Sequence, residues 1–285
     1  MKSKIYLILF ALFAFSCSSD SSSDDGNNNN GGNNNNGGNN NTGNALLVSE
    51  IISTSVESSD YVYTDRYIYD GNKLTTIIEE YSDQNGNSGV NYLYNFVYTN
   101  NKITRVDEYY GDTSTGIEGR YTFEYDNQGR VSFFDYCYFS SGGTCDNYDT
   151  NNLTYSSNGI VSISSVYNAG SVDEENAGTL TLQLDNNGNM ISASDSDING
   201  SFQYDNQNSP FKNIVGMDAI ILFTFVYNPL RFNANNNCTS YNFDYVNENA
   251  ADEVNFAYDY NEDGYPRQVI VTEGSYSSTV DVSYY

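Results

Sequence analysis

The six residues Asp259-Tyr260-Asn261-Glu262-Asp263-Gly264 carry oxygen side chains at alternate positions and a glycine at the sixth. That is the first half of a calcium-binding loop, in which such oxygens converge on the ion and the glycine permits the sharp turn. The bidentate Glu that closes such a loop at its twelfth position is missing, and Ile270 stands there. The same stretch also suits a plain hairpin turn. A turn is the first expectation. A fold-bracing calcium held by Asp259, Asn261 and Asp263 is the second, and no other cofactor is expected.

Other chemistry is mostly excluded by what the chain lacks. It has no His, which removes Ser-His-Asp and Cys-His triads and His-ligated zinc. Acid pairs occur at Glu79-Glu80 and Glu174-Glu175. A glycosidase needs two carboxylates facing each other across a cleft, whereas neighbours on a strand point to opposite faces. No phosphate-cradling Gly-rich loop appears. No catalytic residue is assigned, and a non-enzyme is expected. With 37 acidic residues against 11 basic ones, the chain is repelled by nucleic acid. Beyond Cys17, Cys137 and Cys145 flank the loop-like YFSSGGT, and in an exported chain they can oxidise to a disulfide. The alternatives pair Cys238 with either of them.

The elements that position these residues show as a repeat. YIYDGNKLTTI (67–77), FVYTNNKITRV (96–106), FEYDNQGRVSF (123–133) and LTYSSNGIVSI (153–163) share one pattern, continued at 182–192, 202–210 and 256–271. The second aromatic position falls at Tyr69, Tyr98, Tyr125, Tyr155, Leu184, Tyr204 and Tyr258. The steps are 29, 27, 30, 29, 20 and 54, the last being twice 27, which marks a repeat architecture. Within a unit, Tyr121, Phe123 and Tyr125 alternate onto one strand face, and Val131 and Phe133 alternate after the turn. Asp126 opens a type I turn by accepting from backbone amides further on, and Gly129 takes the left-handed position. The recurrent Asp is therefore a turn former. The fold class is all-β, an antiparallel sheet of repeated hairpins, either an open curved sheet or a closed barrel. One stretch differs. Ser209-Pro210 resembles a helix start, and Phe211, Ile214 and Val215 have helical spacing, which predicts a short helix near 210–219 and a buried strand near 220–227. Its expected role is to cover one side or end of the sheet.

The hairpin unit resembles the YD repeat of rearrangement-hot-spot proteins and related bacterial surface proteins, a likeness of fold that is nearly silent on function. The ending YDYNEDGYPRQV resembles small lipoproteins of the Bacteroidota built on the same hairpins. The other end agrees. MKSKIYLILFALFAFSC has a basic start, an apolar run and a Ser before Cys17, and resembles a bacterial lipoprotein signal covering residues 1–16. The resemblance implies lipidation of Cys17. Residues 17–44 then carry SSDSSSDDG and an Asn/Gly run that cannot bury apolar surface, so they form a disordered tether reaching about 30 Å. The acidic stretch behind the Cys resembles a surface-export signal. By that resemblance residues 45–285, the hairpin domain, stand at the outer membrane facing the cell exterior. The expected function is a non-catalytic binding or scaffold module for a glycan or protein. The alternatives are a purely structural envelope component and a carboxylate-dependent glycoside hydrolase.

Overall fold

In the computed structural model the described residues are 46–54, 61–111, 113–139, 143–216, 235–246 and 251–285. The signal segment, Cys17, the tether and the strand expected at 220–227 lie outside them. Sixteen strands run in chain order. The first eight are β1 (Val48–Thr54), β2 (Tyr61–Asp70), β3 (Lys73–Asp83), β4 (Ser88–Thr99), β5 (Lys102–Tyr110), β6 (Gly119–Tyr125), β7 (Val131–Phe139) and β8 (Cys145–Tyr155). The others are β9 (Ile160–Tyr167), β10 (Glu175–Leu184), β11 (Met190–Ser194), β12 (Ile198–Tyr204), β13 (Cys238–Tyr245), β14 (Ala251–Tyr260), β15 (Pro266–Glu273) and β16 (Tyr276–Tyr284). Every strand pairs antiparallel with its sequence neighbours. β1 also pairs with β16, Ile51 opposite Val282, which closes the sheet into a barrel. Closure leaves neither edge free to recruit another chain.

Period-two alternation decides which face is which. On β14, Val254 and Phe256 are buried while Glu253, Asn255, Ala257 and Asp259 are exposed. On β12, Ile198, Gly200 and Phe202 are buried while Asn199, Ser201 and Gln203 face outward. A round sixteen-strand tube leaves an aqueous lumen. Here Val48, Leu74, Ile103, Val131, Val161, Leu182, Ala193 and Val269 are fully buried and belong to one core. The tube is filled by its own apolar side chains.

The turn reading of the recurrent Asp holds. Asp126 Oδ1 accepts from the backbone N–H of Gln128 at 2.8 Å and of Arg130 at 2.9 Å. Ser156, Asp185 and Asn261 accept from the second and fourth residues after them in the same way. Gly129, Gly159, Gly188 and Gly264 sit at φ 78°, 73°, 79° and 75°, where a β-carbon would clash. The register assigned to the last copy needs one correction. Asn261, not Asp259, forms that turn, because two extra residues separate it from Tyr258.

A second regularity concerns a Tyr near the C-terminal end of β6, β8, β14 and β16. The hydroxyls of Tyr125, Tyr155, Tyr258 and Tyr284 donate to the backbone carbonyls of Ile103, Val131, Cys238 and Pro266, at 2.7, 2.7, 2.6 and 2.8 Å. Each acceptor lies at the start of the preceding strand. The ring fills the core, and the hydroxyl satisfies a carbonyl just past the hairpin turn, which Phe could not do. Tyr98 occupies the same place but donates to Val215 O at 3.2 Å, in the long β12–β13 connection.

That connection corrects the expected helix. Residues 210–216 form successive turns, and 217–219 lie outside the described residues. Ser209 Oγ accepts from Phe211 N–H, and Lys212 and Ile214 N–H reach back only three residues. The helical spacing of Phe211 and Ile214 is real, but both face the barrel end and are buried there. The Phe211 ring lies 5.9 Å from that of Tyr67. Val215 N–H donates to Asn72 O, and Asn213 Nδ2 donates to Leu46 O and Tyr265 Oη. Residues 209–216 thus cover the barrel end that carries the tight turns, hereafter the turn end, as the sequence led us to expect.

Candidate functional site

The outer wall is mostly polar, with Ile68, Ile191 and Ile270 exposed on it. Arg66 on β2 pairs with Glu50 and Glu80. Asp107 on β5 is held by Arg105 and Arg120, at 3.1 and 2.6 Å, and is nearly covered by them. Arg267 pairs with Asp259 at 2.7 Å. The pattern is apolar inside and charged outside. A membrane-spanning barrel requires the reverse, because unpaired polar groups are costly against lipid.

Exposed apolar side chains concentrate at the end opposite the tight turns, hereafter the loop end. Of the twelve large hydrophobics exposed among the described residues, eight are there: Tyr61, Tyr63, Tyr110, Tyr138, Tyr148, Val172, Val246 and Tyr276. Tyr61 and Tyr63 stack at 6.3 Å. Tyr110 meets Tyr92 edge-on at 5.6 Å, and Tyr92 stacks on Tyr94 at 6.0 Å. Pairing register puts Tyr63, Tyr110, Tyr138 and Tyr276 in phase with the inward residues of their strands, so they form a rim.

Inside this rim the wall changes from apolar to acidic. Glu79, Glu108 and Asp65 continue the inward faces of β3, β5 and β2. Glu118 precedes β6, with its N–H on Glu108 O. Glu79 accepts from Tyr94 Oη at 3.4 Å. Burial, and then the Glu118 and Glu79 charges, push the Glu108 carboxyl up to about 7, against a hydrogen bond from Tyr136. Burial, and then the Glu108 charge, raise Tyr92, Tyr121 and Tyr136 above the usual phenol range. Gly119 makes this packing feasible. A β-carbon there would stand 2.5 Å from Tyr136 Oη and 2.9 Å from Glu108 Oε2.

The residues singled out from sequence lie elsewhere. Cys137 and Cys145 form a disulfide between β7 and β8, with Cα atoms 5.7 Å apart, and Cys238 is a buried free thiol. Asp259 is engaged by Arg267, while Asn261 Oδ1 caps its own turn. Among the described residues, no group of three or more acidic, Cys or His side chains is arranged to hold a metal. Glu79 and Glu80 do point to opposite faces, Glu80 outward to Arg66. The acidic rim was missed because its members are distant in sequence. A signal did exist: Glu79 and Glu108 are 29 residues apart, the same step that separates Tyr69 from Tyr98.

No family model matches the chain, and no curated protein matches it significantly. The YD-repeat likeness therefore gains no support beyond the hairpin repeat itself. Among solved structures, the chain is similar to a porin-like protein from Bacteroides vulgatus ATCC 8482. The TM-score is 0.50 and the identity 14%, over 85% of this chain and 99% of that one. A porin-like protein from Bacteroides uniformis ATCC 8492 aligns with TM-score 0.40 and 13% identity, over 84% of this chain and 98% of that one. The first likeness supports the barrel fold. The class defined by fold and wall chemistry is an all-antiparallel sixteen-strand barrel with an apolar interior and a mostly polar exterior.

Proposed function

We propose that the protein is a non-catalytic docking module of the bacterial envelope, anchored in the outer membrane by lipid on Cys17 and presenting its loop end outward. One observation carries this reading. The exposed aromatics gather at the loop end, whereas the chain enters the barrel at the turn end. Leu47 O accepts from Tyr285 N–H there, and Val48 lies opposite Tyr284. A tether joined at that end leaves the aromatic rim pointing away from the membrane. The rim suits a sugar ring or a protein segment, because tyrosine offers a flat apolar face and a polar edge. A passive structural component would need no such rim. The porin-like neighbours from Bacteroides fit an envelope setting.

The test is protease shaving of intact cells followed by blotting. Loss of the signal from unbroken cells is expected. Protection until lysis would overturn outward presentation. One arrangement favours a second reading, carboxylate-dependent glycoside hydrolysis: Glu118 N–H donates to Glu108 O, which brings two acidic residues together at the rim, and burial raises the Glu108 carboxyl. Hydrolysis of a chromogenic glycoside, abolished by Glu108→Gln, would support it.

A further inference from the structure

The connection from β5 to β6 is fastened at the rim by a buried carboxyl group. β5 and β6 pair over four residues, Arg105–Glu108 against Gly119–Thr122, half of what β4 and β5 share. Beyond Tyr110 the chain leaves the sheet. Gly111 N–H donates to Asn91 O at 2.9 Å, and a 3-10 turn follows at Thr113–Thr115. Glu118 then returns, its N–H on Glu108 O and its O accepting from Phe139 N–H, both at 2.8 Å. Gly111 and Gly116 flank the turn at φ 76° and 88°, a left-handed backbone that glycine enters without strain. Thr113, Ser114 and Gly116 are exposed. Residues 113–118 are thus a short strap, latched to the sheet at Glu118.

The Glu108 side chain sits under that latch. Gly119 stands opposite Glu108 on β6 and has no side chain, so the carboxyl reaches across it to Tyr136 on β7, whose hydroxyl donates to it. The surrounding elements face it with carboxylates and phenols: Glu79 from β3, Tyr92 from β4, Glu118 from the strap, Tyr121 from β6 and Tyr136 from β7. The arginines of β5 and β6, Arg105 and Arg120, hold Asp107 on the opposite face. A neutral carboxyl suits this setting. An ionised one is a covered anion facing Glu118 and Glu79, and the least costly relief is water, which lifting the strap admits.

We infer that residues 113–118 form a pH-gated strap, closed over this corner of the rim while Glu108 is protonated and lifted when Glu108 loses its proton. The strap acts whether or not the rim docks a partner. Burial pushes the Glu108 carboxyl from 4.5 up to about 7, so the gate works near neutrality. The value is raised in the closed form. Closure is therefore fully favoured below the ordinary carboxyl range and is lost as pH rises through about 7. With the ordinary value restored in the lifted form, the lifted fraction should rise about tenfold between pH 6 and 8.

The experiment is amide hydrogen exchange of the purified full chain at pH 6 and pH 8, read by mass spectrometry, with labelling times scaled to the intrinsic exchange rate. Peptides covering 113–122 are compared with peptides covering 254–271 in β14 and β15. The former should exchange about tenfold faster at pH 8, and the latter should stay within roughly twofold. Glu108→Gln, checked for folding by circular dichroism, should abolish the rise. Glu124→Gln, exposed on the outer face of β6, should keep it. Three results would each overturn the inference: no rise in the unaltered chain, an equal rise in both sets of peptides, or a rise that survives Glu108→Gln. The first two need no variant.

Discussion

Two Tyr→Phe substitutions at corresponding places in different repeats should act with opposite sign. Tyr155 Oη donates to Val131 O at 2.7 Å, and Val131 is fully buried. Phe would keep the ring and its contact with Arg130 but lose that donor. A net hydrogen bond is worth about 1 kcal/mol, and orphaning a buried carbonyl adds to the loss, so the expected cost is about 1–2 kcal/mol. For a domain of this size that lowers Tm by roughly 2–8 °C. Tyr204 holds the corresponding position on β12, yet its buried hydroxyl finds no partner among the described residues. Burial and the neighbouring Cys238, Asp185 and Tyr258 push that phenol well above its usual range. Tyr204→Phe removes a polar group that gains nothing where it sits, so stability should stay level or rise by up to about 1 kcal/mol. Urea unfolding followed by circular dichroism measures both, with Tyr276→Phe at the exposed rim as the neutral control. Equal destabilisation by Tyr155→Phe and Tyr204→Phe would refute the idea that the hydroxyl-to-carbonyl bond, rather than the ring, is what the repeat requires.

Three further outcomes are expected. Glu108 has a raised folded-state value, so its contribution is fully present below the unfolded carboxyl range and is lost as pH rises through about 7. The stability of the native chain should therefore fall between pH 5 and 8 by up to about 3 kcal/mol more than that of Glu108→Gln, as read by urea midpoints across that range. Gly119→Val should push Tyr136 and Glu108 apart and cost about 1–3 kcal/mol, measured by thermal melting, whereas valine at Gly89, whose β-carbon would come no closer than 3.5 Å to Tyr81, should cost less. Reducing the Cys137–Cys145 bridge, which closes a loop across a sequence separation of 8, should lower stability by roughly 2–3 kcal/mol, read as a urea midpoint shift with dithiothreitol.

Much of the fold was legible because its signals are local. Alternation at Tyr121, Phe123 and Tyr125 fixes a strand face, and Asp126 with Gly129 fixes the turn, each within a few residues. Closure was not legible. It depends on Ile51 meeting Val282 across the whole chain, and nothing in either segment names its partner. The helix expected at 210–219 failed where tertiary contact decided. Phe211 and Ile214 had the spacing, but Val215 N–H is held by Asn72 and the Asn213 side chain by Leu46 and Tyr265 at the barrel end, and Lys212 and Ile214 N–H reach back only three residues. The rim was the least legible part. Glu79 read as half of a useless pair with Glu80, and only the pairing register brings it to the wall that Glu108 shares.

The most direct test of the central claim is the behaviour of the chain without lipid and without detergent. A Cys17→Ser chain lacking residues 1–16, expressed in the cytoplasm under conditions that permit disulfide formation, should run as a monodisperse species in plain buffer. It should give a β-rich circular dichroism spectrum and unfold cooperatively in urea. Folding only in detergent or bilayers, with aggregation in buffer, would mean that the outer wall meets lipid and would contradict a water-facing barrel held by its tether.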